Sequence, residues 1–195
     1  MPTLERIEKV DRVLSHRQAD LRVVLEGVTI AHNASAVIRT CDAAGVLYLD
    51  LVAPNPELLR FNEAISTRAD KWLEIAVHPT PAECLEPLKK AGFEIVATHL
   101  ARAAVPYTDV DFAKPVALVF GSEADGISDD CLAFADKIVR IPMLGMVQSL
   151  NLSVSVAIML YEALRQRTAK GYAGTARLPV GELARLRKEW LKLPD

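Results

Sequence analysis

Residues 141–161 read IPMLGMVQSLNLSVSVAIMLY. A strand-like end at Ile141 is followed by Pro142 and Gly145, which permit a turning loop. Gln148, Ser149 and Asn151 then gather polar groups at the mouth of a helix that is apolar on nearly every side. A helix without a polar face belongs in a core or against a second subunit. Ser153 and Ser155 let its neighbours approach closely. On these residues alone, Ser149 or Asn151 reads first as an ordinary N-cap of a buried helix, and both readings stay open.

Outward from this stretch, strands and helices alternate. Apolar runs at 21–25, 47–53, 72–77, 93–98, 115–120 and 137–141 have strand length and are rich in Val, Ile and Leu. They predict six mostly parallel strands. Leu4, Ile7, Val10 and Leu14 recur at helical spacing, so 3–17 reads as an amphipathic helix. Thr80, Pro81 and Glu83 form a capping box with proline at the first helical position, and Gly92 stands where a terminating glycine belongs. That predicts a helix over 82–91. Asn33 is positioned to cap a helix running to Ala44 and ended by Gly45, and Ser128, followed by Asp129 and Asp130, to cap another. At the C-terminal end, Leu183, Leu186 and Trp190 make the apolar stripe of a helix over 180–193, with Arg185, Arg187 and Lys188 elsewhere on its surface. The class is α/β, and ligands of such sheets sit in the loops after the strand ends.

A chain of 195 residues, 51% hydrophobic and 25% charged, suits one globular domain. It has no apolar run of signal-peptide length and no 18-residue uncharged apolar segment, so a cytoplasmic address without a membrane partner is expected. Cys41, Cys84 and Cys131 are odd in number and irregularly spaced, which predicts reduced structural thiols rather than disulfides. His16, His32, His78 and His99 form no HxxxH or HxH pair, so no metal site is expected. The net charge of −2 is unevenly spread. Residues 161–195 carry eight Lys or Arg against four acids, whereas 26–160 carry ten against seventeen. A polyanion could dock on the basic C-terminal element, although such a run is as often a solvated helix face.

Three segments following strands carry the polar chemistry: NASAVIRTCDAAG at 33–45, KPVALVFGSEADG at 114–126, and the opening stretch. IPMLGMVQSLNLSVSVAIMLYE closely resembles the third motif of the SpoU (TrmH) branch of the SPOUT RNA methyltransferases. NxSAxxRTCDAxG and FGxExxG resemble its first and second motifs. All three occur in family order and spacing, and the resemblance extends over roughly 20–170. It implies a SPOUT fold whose C-terminal part is threaded as a deep trefoil knot, a homodimer, and S-adenosylmethionine held in the knot. No periodicity argument delivers a knot, because knots are rare. The implied layout is a single domain over 1–195: an N-terminal helical extension at 1–19, a knotted catalytic core at 20–170, and a C-terminal helical extension at 171–195.

The resemblance assigns roles residue by residue. Arg39 stands at the catalytic arginine, Asn33 at the asparagine of the first motif, Glu123 at the glutamate of the second, and Ser149 and Asn151 at the polar pair of the third. Thr98, Gly121, Ile141 and Leu150 align with positions lining the cofactor pocket. Neutralising any guanidinium at pH 7 costs roughly 8 kcal/mol. Arg39 is therefore better suited to pairing with an RNA phosphate and stabilising a developing alkoxide than to acting alone as a base. Glu123 has a structural alternative, holding backbone amides of the tight GSEADG turn.

FNEAISTRADKW at 61–72 departs from the Gly/Ser-rich segment usual in the family's tRNA enzymes, and Arg68 and Lys71 stand there as phosphate contacts instead. Arg12, Arg17, Arg22, Arg165, Arg167 and Lys170 complete the candidate RNA contacts. Short helical extensions without a separate RNA-binding domain resemble the tRNA enzymes that methylate the ribose 2′-hydroxyl of the D-loop guanosine at position 18. The expected partner is therefore tRNA or another structured RNA, not DNA. A ribosomal RNA 2′-O-methyltransferase of the same family is the alternative, and a non-catalytic RNA-binding scaffold is a third reading, opposed by the presence of all five polar site residues. A dinucleotide oxidoreductase is opposed by the lack of GxGxxG after the first strand.

Overall fold

Strands with apolar side chains on both faces require cover on both. The computed structural model, which describes residues 2–28, 31–54, 69–122, 124–172 and 178–193, meets that requirement. In chain order the elements are α1 (Leu4–Leu14), β1 (Gln18–Glu26), α2 (Ala31–Ala43), β2 (Val46–Val52), β3 (Glu74–His78), α3 (Pro81–Lys90), β4 (Glu94–Thr98), β5 (Val105–Pro106), β6 (Val116–Phe120), α4 (Asp129–Leu132), β7 (Lys137–Arg140), α5 (Leu152–Ala169) and α6 (Val180–Leu191). They form one sheet in the order β3-β2-β1-β6-β4-β7-β5, parallel at every pairing of these strands.

Six strands are expected and seven are found. The addition, β5, is two residues long and pairs with the neighbouring strand through Val105 opposite Val139. No hydrophobic period can register over two residues. The strand placed at 72–77 begins at Glu74, because Ala69–Trp72 winds into a 3-10 turn first.

Alternation along the strands divides the core. Val23, Leu25 and Leu118 pack with Val37, Ile38 and Cys41 of α2 and with Val156, Met159 and Leu160 of α5. The intervening residues Val24, Ala97 and Val119 meet Leu85 and Leu88 of α3 and Cys131 of α4 on the other face. Each such fully buried aliphatic side chain stabilises the fold by about 1.5–3 kcal/mol. A third cluster joins the two ends of the chain: Val10 and Leu14 of α1 with Leu186, Trp190 and Leu191 of α6. Trp190 meets Trp72 edge-on at 5.2 Å between ring centroids, and Arg187 pairs with Asp11 at 2.6 Å.

Helix boundaries follow local chemistry. Thr80 accepts from the Glu83 backbone N–H as the capping box requires, and Ser128 accepts from that of Cys131. Gly45 takes φ +79°, and a Cβ there would meet the His16 carbonyl oxygen at 2.6 Å, so only glycine fits the turn into β2. Two expectations are corrected. The helix at 3–17 stops at Leu14, because Arg17 is drawn into the core at the start of β1. Asn33 is not an N-cap: α2 begins at Ala31, and the Asn33 side chain is buried within the helix's first turn.

Arg17 and Arg167 are corrected as RNA contacts, since both are fully buried. Arg17 bonds the Val46 and Trp72 carbonyls and pairs with Asp42. Arg167 pairs with Asp20 at 2.6 Å and donates to the carbonyls of Phe112, Asp20 and Lys114. A guanidinium's planar fork satisfies several carbonyls where strands begin and helices end, which an ammonium could not. Arg22 is likewise committed: it donates to Asp50 at 3.0 Å and lies over the Tyr48 ring at 4.1 Å.

Candidate active site

The carboxyl ends of β4, β6 and β7 open into a cavity of about 340 Å³. Thr98 leaves β4 into it, Phe120 and Gly121 leave β6, and Val139 to Ile141 leave β7. Its remaining wall is the loop before α5, through Gln148, Ser149 and Leu150. All four residues aligned with cofactor positions, Thr98, Gly121, Ile141 and Leu150, line this one space.

Gly121 has a steric reason for being glycine. The chain after it doubles back, with Ser122 and Gly126 exchanging backbone hydrogen bonds of 3.1 and 3.0 Å. A Cβ on Gly121 would lie 1.9 Å from the Gly126 carbonyl oxygen. The Thr98 hydroxyl is spent across the sheet on the Val119 carbonyl, at 3.2 Å, so Thr98 offers the cavity its backbone and methyl group. Leu150, Leu152 and Phe120 give the cavity apolar surface, and His99, Ser122, Gln148 and Ser149 give it a few polar groups. That volume and mixture suit a small amphipathic ligand, and the cradle around Gly121 suits close backbone approach, as S-adenosylmethionine requires.

The polar residues of the first and third motifs meet beside the cavity. Asn151 Nδ2 donates to Asn33 Oδ1 at 3.2 Å. Asn151 Oδ1 accepts from the Ser153 backbone N–H at 2.9 Å and from its hydroxyl at 2.6 Å. Asn151 thus caps α5 and joins it to α2. Ser149 is not the cap; it is exposed at the cavity wall. Arg39 lies six residues beyond Asn33 on α2, about 9 Å along the axis. It is exposed, makes no ion pair among the described residues, and is not part of the cavity wall. Glu123 and Arg68 lie outside the described residues.

Among the remaining RNA candidates, Arg12 and Lys71 are exposed, Arg165 is exposed and paired with Glu162 at 2.7 Å, and Lys170 is exposed and paired with Asp111 at 3.1 Å. Sequence reading missed His99, Ser122 and Asp125 on the cavity wall, whose sequence signal is their position in the loops after β4 and β6.

The cysteines are buried and free. Burial pushes the Cys41 and Cys131 thiols up to about 12 and raises Cys84 as well, so none is a nucleophile. Asp50, His78 and Cys84 place ligand-type atoms within 4.8 Å of one another. The Asp50 carboxylate is already met there by Arg22 and by His78, each at 3.0 Å, so the chain's own guanidinium fills the cationic place.

A parallel sheet carrying this cavity and these three motifs at one end defines the class, an α/β RNA methyltransferase that takes S-adenosylmethionine. The chain belongs to the SpoU rRNA Methylase family, whose match spans residues 20–161. It is 44% identical over 190 residues to the tRNA (guanosine(18)-2'-O)-methyltransferase of Thermus thermophilus, covering 97% of each chain. The crystal structure of the A. aeolicus TrmH/SpoU tRNA modifying enzyme superposes with a TM-score of 0.91 at 40% identity, over 98% of both chains. An AdoMet-bound rRNA methyltransferase from Sinorhizobium meliloti gives 0.65 at 33% identity, over 78% of this chain and 59% of that one.

Proposed function

We propose that this protein methylates the ribose 2′-hydroxyl of guanosine 18 in the D-loop of tRNA, working as a cytoplasmic homodimer. The observation that carries this reading is the convergence of Thr98, Gly121, Ile141 and Leu150 on one cavity, with the Asn33 to Asn151 bond at its edge. The similarity of the whole chain to tRNA (guanosine(18)-2'-O)-methyltransferases supports the particular nucleotide. The single domain over 1–195, with helical extensions at 1–19 and 171–195 around a knotted core at 20–170, belongs to the same reading.

When bound, S-adenosylmethionine supplies an electrophilic methyl group carried on a sulfonium. The protein's task is to hold an attacking oxygen in line with that methyl, and alignment of this kind is worth about 7–11 kcal/mol. Gly121, Ile141 and Leu150 hold the cofactor by backbone and apolar contact, while Asn33, Ser149 and Asn151 orient the ribose. Arg39 neutralises an RNA phosphate and the alkoxide as it forms.

Because Arg39 stands off its own cavity, a second copy is the natural source of the arginine. The exposed apolar residues Leu144, Met146, Val154 and Tyr161 around the same wall support such a dimer. Arg12, Lys71, Arg165 and Lys170 serve as phosphate contacts.

The test is transfer from labelled S-adenosylmethionine to unmodified tRNA transcripts, followed by mapping of the methylated nucleotide. Transfer to position 18, lost when that guanosine is replaced, is expected; methylation of ribosomal RNA alone would overturn the substrate. Arg39→Ala should lower turnover by about 10²–10³. Mixing Arg39→Ala with Asn151→Ala protein should restore activity if the arginine acts across the dimer.

A further inference from the structure

The loop from Gly121 to Gly126 forms one wall of the cofactor cavity, and its two ends are secured by different means. Its start continues β6, which is fixed beside β1 through Phe120 opposite Leu25. Its far end is bridged back to Ser122 through the Gly126 backbone, and the chain just beyond it, at Ser128, is anchored separately. Glu26, the last residue of β1, reaches across to anchor it. Its Oε2 accepts from the Ser128 backbone N–H at 2.9 Å and its Oε1 from the Ser128 hydroxyl at 2.6 Å. Ser128 in turn accepts from the Cys131 N–H, so the carboxylate grips a residue already fixed at the head of α4.

The next residue, Gly27, turns the chain at φ +65°, and a Cβ there would come within 3.9 Å of Ser122. The start of the segment leading to Asn33 and Arg39 therefore passes beside the same loop. One carboxylate thus ties the second-motif loop to the strand that delivers the first motif.

We propose that Glu26 is a positioning residue for the cofactor: by clamping Ser128 it holds the Gly121 to Gly126 wall in its binding-competent form. The proposal rests on the reading of the cavity as the S-adenosylmethionine site. Glu26 does not line the cavity, so it acts through the loop. Two charge-assisted bonds to one residue give the clamp its strength. Ser128 is exposed, so without the carboxylate its donors turn to water and the rest of the fold loses little. The consequence falls on the loop, and apparent affinity drops by the fraction of time the loop spends out of place.

The measurement is calorimetric titration of the full-length protein with S-adenosylmethionine, alongside thermal melting. Glu26→Ala should raise Kd about ten-fold while the melting temperature moves by no more than about 3 °C. In steady state the KM for S-adenosylmethionine should rise by the same factor with kcat at saturation retained. Glu26→Gln, whose amide oxygen still accepts the Ser128 N–H, should recover to within about three-fold of the native Kd. Should Glu26→Ala fail to fold, Ser128→Ala, which deletes one of the two bonds together with the side-chain cap of α4, carries the test with an expected rise of about three-fold in Kd. Native affinity in these variants, or a fall in melting temperature with Kd unchanged, overturns the role of Glu26. Native protein that binds no S-adenosylmethionine overturns the cofactor reading beneath it instead.

Discussion

At Gly121 one hydrogen atom separates a working loop from a clash. A methyl group in its place would meet the Gly126 carbonyl at 1.9 Å, a distance no real contact tolerates. Gly121→Ala should therefore force the loop open and abolish measurable S-adenosylmethionine binding by calorimetry, and undiminished binding would show that the wall is dispensable. Arg167 makes the complementary point about charge. It is an arginine at 1% exposure that donates to oxygens of Gln18, Asp20, Phe112 and Lys114, groups that lose their partner if it is removed. Arg167→Ala should cost about 3–5 kcal/mol of stability in urea denaturation, and a loss below about 1 kcal/mol would contradict the burial argument. Composition presents Arg167 as one more cation of a basic tail. Nothing in the local pattern tells it apart from the exposed Arg165 two residues earlier, because the difference lies in what the rest of the chain packs against each.

Among the elements, β4 and β7 are joined by more than their ladder. Asp136, just before β7, donates its backbone N–H to the Ile95 carbonyl and accepts from the Ile95 N–H at 2.9 Å and from Lys89 at 2.7 Å. Burial pushes the Asp136 carboxyl up, but the Ile95 N–H and Lys89 outweigh it and hold the group below the usual carboxylate range. A depressed carboxyl contributes stability above its unfolded pKa of about 4, and that contribution disappears as pH falls through the lower folded value. Asp136→Ala should thus lose about 1 kcal/mol at pH 7, a figure reduced because the side chain is 36% exposed, and the gap to the native protein should be narrower at pH 2. Urea titrations at both pH values test it, and an equal gap at both would refute the linkage. Most elements were legible from sequence because their signals are local: Thr80 with Pro81, Ser128 before two acids, the apolar runs. The start of α2 was not, since Asn33 has the chemistry of a cap yet is claimed by Asn151, 118 residues away.

For the whole molecule, the unresolved demand is the exposed apolar surface. Leu144 and Met146 are fully exposed, and Tyr161 is 53% exposed on the outer side of α5. The opposite side carries Val156, Met159 and Leu160 into the core, so the first half of α5 is apolar on its exposed side as well as its buried one. Tyr161→Glu should convert a dimer to a monomer in sedimentation while leaving the fold's circular dichroism intact, and should lower methyl transfer with it. A Tyr161→Glu protein that stays dimeric would place the interface elsewhere.

The sequence by itself determined the α/β class, the helix caps at Thr80 and Ser128, the three motifs, and the family they resemble, since each is written in neighbouring residues or in fixed spacing. Tertiary structure alone decided that Thr98, Gly121, Ile141 and Leu150 share one cavity, that Asn151 reaches Asn33, and that Arg17, Arg22 and Arg167 serve the fold rather than phosphate. Burial and long-range pairing depend on which distant segments fold together, and no window of sequence contains that information. The helix that begins at Leu152 illustrates the division: its apolarity is local, but which side meets the sheet is set by the strands it covers.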